Sequence, residues 1–286
     1  MTELNRSNSL DRNSELVVAA VYKREVAASL ERVWENVFDW EHLPWLHSEA
    51  FNSIEKLASG DWGWRARVEL AGEAKAEIEL IADRVAGHYV ARTFAGAGAP
   101  SEIWTSLDPV ADDRTAIAVE FCVQPMPDEA LRRIGNGYVS LYTILWDQDE
   151  GMMQTRERGL ANRQARWGKQ TDTLTIGRLD EVRSQLPLII EFGGHRFRIV
   201  ELDGELVAHS AECPHLLGPL DDCRVRDGSI LCPWHGYEFD IRTGKSSDGR
   251  SLRLRSAPRV SVDTASSEVR VEGLRDGKSA PGRCSA

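Results

Sequence analysis

Two short arms of cysteine and histidine in the last third of the chain constrain its fold more than any other feature. The first arm is Cys213-Pro-His215 and the second is Cys232-Pro-Trp-His235, with sixteen residues between them. Together the arms offer two thiolates and two imidazoles, so this segment must fold into loops that bring both arms to one point. Ligand softness alone allows a tetrahedral zinc ion. It equally allows an iron–sulfur cluster with the cysteines on one iron and the histidines on the other.

The residues around the two arms favour the cluster over zinc. The segments CPHLLGPL and CPWHGYEFDIRTG resemble the two cluster loops of Rieske domains, and the resemblance extends over roughly residues 187–271. It implies an all-β Rieske domain in which Cys213, His215, Cys232 and His235 hold a [2Fe-2S] cluster. Neutral imidazoles in place of two thiolates raise the reduction potential of such a cluster.

A second pattern of metal-binding residue types lies near the start of the chain. Asn36, Asp39, His42 and His47 form the sequence N-x-x-D-x-x-H-x-x-x-x-H. Two histidines and one carboxylate that leave coordination positions open are the facial triad of non-haem Fe(II) oxygenases. The alternative is that both histidines lie in a helix-to-strand loop and bond to the backbone.

The pattern resembles the mononuclear-iron motif of the Rieske non-haem iron oxygenases, which also contain a Rieske domain. The resemblance implies that His42 and His47 bind Fe(II) together with a distant aspartate. It implies that Asp39 and Asn36 are catalytic residues, with Asp39 bridging by hydrogen bonds to a cluster histidine of a neighbouring subunit. The chain departs from the family because its Rieske domain comes second and its first module is short.

Helical spacing selects among three acids for the remaining iron ligand. One stripe of the predicted helix contains Tyr138, Tyr142, Leu145, Asp149, Met152 and Leu160. Asp147 lies about 200° away from Asp149 at about 100° per residue. A carboxylate in an apolar face is costly unless it is paired or bound to a metal. The spacing therefore predicts Asp149, with Glu150 and Asp147 as fallback ligands.

The order of predicted elements indicates an α+β fold class. In the first half, a strand and an amphipathic helix precede a run of strands, and a helix over residues 128–166, interrupted near Gly135 and Gly137, follows. This order resembles the helix-grip fold of START and polyketide-cyclase proteins, an antiparallel sheet around a long C-terminal helix. We expect a flexible leader at 1–15, a helix-grip catalytic domain at 16–169, a linker at 170–186, the Rieske domain at 187–275 and a tail at 276–286.

Charge and hydropathy limit the partners of the chain. Its net charge of −10 argues against sequence-independent binding of nucleic acid. It has no apolar run long enough to span a membrane and no visible secretory signal, so we expect a cytoplasmic protein. Because the chain has no G-x-G-x-x-G motif, NAD(P)H must act through a separate reductase, with or without a ferredoxin. We also expect a homo-oligomer, with a trimer favoured.

Three functions are compatible with these motifs. The first is the terminal oxygenase of a multicomponent Rieske system, which hydroxylates or oxidatively dealkylates a small aromatic or hydrophobic substrate with O2. The second is a Rieske electron-transfer protein fused to an iron-free domain that binds a hydrophobic ligand. The third is a metal-free cyclase or hydratase that uses His42 or His47 as a general base.

Overall fold

The computed structural model describes residues 10–165 and 173–273. The predicted tail and the first nine residues of the predicted leader lie outside the described residues. The chain divides into two compact units between Glu157 and Arg158. Within the described ranges, no helix combines the length and the apolar character needed to cross a bilayer.

The first unit contains a seven-stranded antiparallel sheet and a long helix. The strands follow the spatial order β1-β7-β6-β5-β4-β3-β2, so the first strand pairs with the last one. They are β1 (Val17–Val26), β2 (Phe51–Gly60), β3 (Gly63–Leu70), β4 (Lys75–Asp83), β5 (His88–Gly96), β6 (Ser101–Ala111) and β7 (Arg114–Val123). Helices α1 (Leu30–Phe38) and α2 (Leu43–Leu46) lie between β1 and β2, and α3 (Asp128–Ala165) follows β7.

Alternation along β7 shows how the sheet forms its core face. Ile117, Val119 and Phe121 are buried at every second position, as the two-residue period of a strand requires. The Phe121 ring stacks on Tyr138 of α3 at 4.9 Å and meets Tyr142 edge-on at 4.7 Å. These contacts pack the long helix across the core face of the sheet.

Helix α3 is continuous, whereas the sequence predicted an interruption near Gly135 and Gly137. At Gly135 the helix backbone approaches β1 closely. A Cβ atom there would lie 2.5 Å from the carbonyl oxygen of Ala19. The glycine therefore serves close packing between helix and strand rather than a break in the helix.

The outer face of the sheet carries a smaller apolar cluster. Leu10 and Leu16 pack there against Trp104 and its neighbours, and Arg12 forms an ion pair with Glu120. This part of the predicted leader therefore lies against the sheet.

The regular secondary structure of the second unit is mainly β-strand. Its strands form three sheets of three strands each, ordered β11-β10-β9, β12-β13-β14 and β15-β16-β8. They are β8 (Thr173–Arg178), β9 (Leu188–Phe192), β10 (His195–Leu202), β11 (Glu205–Ser210), β12 (Val225–Arg226), β13 (Ser229–Leu231), β14 (Glu238–Asp240), β15 (Arg259–Val262) and β16 (Glu268–Glu272). The α+β fold class and its two kinds of domain are confirmed.

Residues 173–186 of the segment predicted as a linker at 170–186 belong to this unit, and residues 170–172 lie outside the described residues. Strand β8 pairs antiparallel with β16, and helix α4 (Leu179–Ser184) buries Val182. The segment looks like a linker because it is short and mostly polar. An edge strand needs only one apolar face, here Leu174 and Ile176 against the core of the unit.

Candidate metal centres

The residues of the N-terminal motif lie on a helix end and the turns that follow it. Helix α1 ends at Phe38, where the backbone N–H of Asp39 donates to the carbonyl oxygen of Asn36 at 3.1 Å. A 3-10 turn then contains His42, and His47 follows the four-residue helix α2. Asp149 projects from the middle of α3. Tertiary packing therefore brings together residues more than a hundred positions apart.

The three predicted iron ligands form one buried cluster. Nε2 of His47 lies 3.1 Å from Oδ1 of Asp149, and Nε2 of His42 lies 3.5 Å from the same oxygen. The two imidazole rings are nearly perpendicular, with centroids 5.1 Å apart. One ligand atom from each residue falls within 4.8 Å of the other two, and all three residues are buried. Two nitrogens and one carboxylate oxygen are the donor set of a facial triad.

Three further side chains lie next to the cluster. Nδ1 of His47 lies 2.7 Å from the amide oxygen of Gln148. That oxygen can only accept a hydrogen bond, so Nδ1 is the donor in this contact. Nε2 faces Asp149 and donates to it when the ring is protonated, and loss of that proton would free its lone pair for a metal. Nδ1 of His42 lies 3.5 Å from Oδ2 of Asp39. The Asn36 amide donates to Oδ1 of Asp149 at 3.0 Å.

Electrostatics within the cluster keep the carboxylate charged. Burial by itself raises the pKa of Asp149. The hydrogen bond and attraction from His47, the attraction of His42 and the hydrogen bond from Asn36 outweigh burial and lower this pKa. Burial lowers the pKa of His47, but its bond to Asp149 reverses that shift and raises it. A buried carboxylate that stays ionised is a suitable anionic ligand for a divalent cation.

The two fallback acids are engaged elsewhere. Arg24 donates to Asp147 at 2.6 Å and also to Glu150. The Asp147 side chain is 63% exposed, and Glu150 also accepts from the backbone N–H of Ala27 at 2.8 Å. Of the three candidate acids, the structure therefore brings only Asp149 to the two histidines.

The triad forms part of the wall of a cavity between the sheet and α3. The cavity has a volume of about 360 Å³, and most of its lining is aliphatic and aromatic. Asn36 and Asp39 also contribute to its wall. A buried cluster of potential metal ligands at the edge of an apolar cavity is an arrangement in which a hydrophobic molecule could meet a bound metal.

In the second unit, the two cysteine–histidine arms lie in loops closed by backbone hydrogen bonds. The Cys213 N–H donates to the carbonyl oxygen of Gly218, and the Cys232 N–H to that of Tyr237, each at 2.8 Å. The rings of His215 and His235 lie 4.5 Å apart and nearly perpendicular. The structure thus brings both imidazoles together.

The thiols of the two arms also lie next to each other. A hydrogen bond with Cys213 lowers the pKa of Cys232 in spite of burial, and the same bond raises the pKa of Cys213. Gly218 lies close to both Cys232 and Trp234, and a Cβ atom there would lie 2.8 Å from Sγ of Cys232. Two adjacent buried thiols beside two imidazoles fit the donor set of a Rieske cluster.

Sequence reasoning missed Gln148 and three tyrosines of the cavity wall. Gln148 precedes Asp149 on the helix, but its role depends on the orientation of the His47 ring. Tyr138 and Tyr142 lie in the predicted helix stripe, where they look like core residues. Tyr89 lies on β5, and no local signal assigns it to a cavity.

Comparisons with known proteins identify the second unit. Residues 172–258 match the family model of the Rieske [2Fe-2S] domain. Apoptosis-inducing factor 3 from Mus musculus is 37% identical over 59 residues, 21% of this chain and 10% of that protein. The cytochrome b6-f complex iron-sulfur subunit from Chlorobaculum thiosulfatiphilum is 35% identical over 85 residues, 30% of this chain and 46% of that subunit. The chain therefore spans less than half the length of these curated relatives.

Solved structures resemble each unit separately. A START superfamily protein from Mycobacterium smegmatis matches 47% of this chain and 96% of its own, with 20% identity and a TM-score of 0.40. The ferredoxin of carbazole 1,9a-dioxygenase from Nocardioides aromaticivorans IC177 matches 36% of this chain and all of its own, with 25% identity and a TM-score of 0.32. The match to the Rieske [2Fe-2S] domain covers residues 172–258, and an antiparallel sheet with a long helix precedes it.

Proposed function

We propose that the chain is the terminal oxygenase component of a multicomponent Rieske system. Its substrate is a small hydrophobic or aromatic molecule that is hydroxylated or oxidatively dealkylated with O2. The single observation that carries the proposal is the convergence of two histidine Nε2 atoms on Asp149 at an apolar cavity. That this occurs in a chain with a Rieske domain supports the proposal further.

The side chains of the first unit have separate tasks in this function. His42, His47 and Asp149 hold the mononuclear Fe(II), and three protein ligands leave positions open for O2 chemistry. When bound, the iron supplies activation of O2, and the Rieske cluster supplies electrons. Gln148 fixes the His47 tautomer, Asn36 orients the Asp149 carboxylate, and the apolar cavity wall excludes water.

Electrons come from another protein in this proposal. NAD(P)H acts only indirectly, through a separate reductase and, in some arrangements, a ferredoxin. Asp39 is the electron-transfer bridge. Its carboxylate stands beside Nδ1 of His42, and its side chain is 10% exposed. A bridge to the cluster of a neighbouring subunit requires a homo-oligomer, for which we propose a trimer.

Replacing Asp39 with alanine tests the bridge. We expect Asp39→Ala to keep both metal centres and to lose turnover by roughly 100-fold, as for other residues that act through a metal ligand. The measurement is reoxidation of the reduced cluster by O2 in the presence of substrate, together with iron and sulfide content. Asp61→Ala, at an exposed turn between β2 and β3, is the matched control. Wild-type turnover in Asp39→Ala would remove Asp39 from the electron path.

A second candidate function is supported by the cavity alone. An apolar cavity in a START-like fold can hold a hydrophobic ligand without any metal, and the Rieske domain then acts as an electron carrier. Iron stoichiometry and O2 uptake that depends on His42 discriminate between the two functions. The oxygenase should contain a third iron atom per chain and should lose O2 uptake in His42→Ala. The electron carrier should contain only the two irons of the cluster, and His42→Ala should leave its O2 uptake unchanged.

A further inference from the structure

The cavity of the first unit has a size that limits its occupant. Apolar cavities of about 150 Å³ can hold one benzene molecule. The cavity here is about 360 Å³, so its volume fits a molecule of about two rings. Leu80, Ile103 and Trp146 contribute apolar walls to this space.

The charges around the cavity limit the occupant further. Among the described residues that line it, the ionisable groups other than tyrosine are Asp39, His42, His47 and Asp149, and none is lysine or arginine. A bound divalent cation would have its charge matched by the two carboxylates. Without a metal, the two carboxylates oppose an anionic ligand. An anionic ligand would therefore lack a compensating charge in either state, and burying an unpaired ion is strongly unfavourable.

Three tyrosines add hydroxyl groups to the mostly apolar wall of the cavity. Tyr89, Tyr138 and Tyr142 all line the cavity, and the contacts of Phe121 hold the rings of Tyr138 and Tyr142. Burial raises the pKa of each of the three phenols, so they remain neutral hydrogen-bond donors. Among the described residues, none forms a hydrogen bond with the Tyr142 hydroxyl. A phenol donor of this kind in the wall of a mostly apolar cavity favours a ligand that brings an acceptor.

We propose that the cavity selects a neutral molecule of about two rings that carries a hydrogen-bond acceptor, and that the Tyr142 hydroxyl donates to this acceptor. Tyr142 is thus a specificity-determining residue. The inference rests on the proposed function only in treating the ligand as the substrate, because binding itself requires no metal. It deepens that function because it narrows the substrate class to neutral bicyclic compounds that contain oxygen and excludes aromatic carboxylates.

Calorimetric titration of the full chain with three probes tests this selection. 1-Tetralone is a neutral bicyclic ketone, tetralin has nearly the same shape without the acceptor, and 2-naphthoate carries a charge. We expect 1-tetralone to bind at least about tenfold more tightly than 2-naphthoate. The reason is that binding of 2-naphthoate would bury an unpaired negative charge. Tyr142→Phe should weaken binding of 1-tetralone by about tenfold and leave tetralin within about twofold, as expected for loss of one buried donor.

A matched control variant and three contradicting outcomes complete the test. Tyr22→Phe removes a phenol on β1 that does not line the cavity, so it should bind all three probes as the wild type does. The wild-type comparison of 1-tetralone with 2-naphthoate needs no variant to fold. Equal affinity for these two, absence of 1-tetralone binding at about 1 mM, or an unchanged ratio of 1-tetralone to tetralin in Tyr142→Phe would each overturn the inference.

Titrations with and without Fe(II) separate this inference from the proposed function. Selective binding of 1-tetralone in a protein that takes up no mononuclear iron would contradict the oxygenase and leave the cavity assignment intact. Uptake of Fe(II) at the triad without discrimination among the probes would contradict the cavity assignment alone.

Discussion

Replacing Asp149 with alanine is expected to remove the mononuclear iron and to leave the iron–sulfur cluster in place. Iron per chain then falls from about three to about two, and the two acid-labile sulfides are unchanged. The reason is that Asp149 supplies the single carboxylate that both histidine Nε2 atoms face. Loss of a residue that only supports a ligand costs 10–100-fold in metal affinity, so loss of a ligand should cost more than about 100-fold.

A neighbour on the same helix is the control for Asp149→Ala. Asp147 is exposed and paired with Arg24, two residues away from the predicted ligand. Asp147→Ala should therefore bind Fe(II) as the wild type does, measured by titration of the anaerobic protein with Fe(II) followed by desalting. Equal loss of iron from both variants, or from neither, would contradict the assignment of Asp149 as the third ligand.

Replacing Cys232 with serine is the second change with a large expected effect. Cys232 is fully buried beside Cys213, and its loop is closed by the hydrogen bond to Tyr237. We expect Cys232→Ser to lose essentially all acid-labile sulfide and the visible absorption of the cluster, because two thiolates are needed on one iron. The Rieske domain should also unfold more readily, since the metal contributes to its folding free energy. Iron content and thermal unfolding of the variant measure the two effects.

Another cysteine of the same unit is the control for the cluster prediction. The Cys223 thiol donates to the carbonyl oxygen of Pro219 at 3.4 Å and belongs to neither arm. Cys223→Ser should therefore keep the full sulfide content. Loss of sulfide in Cys223→Ser together with retention in Cys232→Ser would contradict the predicted ligand set. Cys232→Ser also tests whether the mononuclear site forms independently of the cluster, because this variant should retain about one iron per chain.

The parts of the fold that the sequence predicts well have strong local signals. The two arms lie in short segments of unusual composition, so four candidate cluster ligands could be named without a structure. Asp149 could be distinguished from Asp147 as the candidate iron ligand, because helical periodicity places Asp149 on the apolar stripe of α3 and Asp147 on another face. The proximity of Asp149 to His42 could not be derived from periodicity, since it depends on how α3 packs across the sheet.

Other features escape sequence reasoning because they depend on tertiary contacts. The role of Gln148 follows from the direction of the His47 ring, and that of Tyr89 from the tertiary packing that forms the cavity beside β5. The sequence predicts a linker where strand β8 lies, because an edge strand with one apolar face has a weak signal. The predicted break near Gly135 was wrong because this glycine permits close contact with β1.

The most direct test of the oxygenase proposal is the content of iron and acid-labile sulfide in anaerobically purified protein. A Rieske cluster contributes two irons and two sulfides, and a mononuclear site contributes one further iron. We predict about three irons and about two sulfides per chain after addition of Fe(II) and desalting. About two irons with two sulfides, unchanged by added Fe(II), would contradict the mononuclear site and support an electron carrier with a ligand-binding domain.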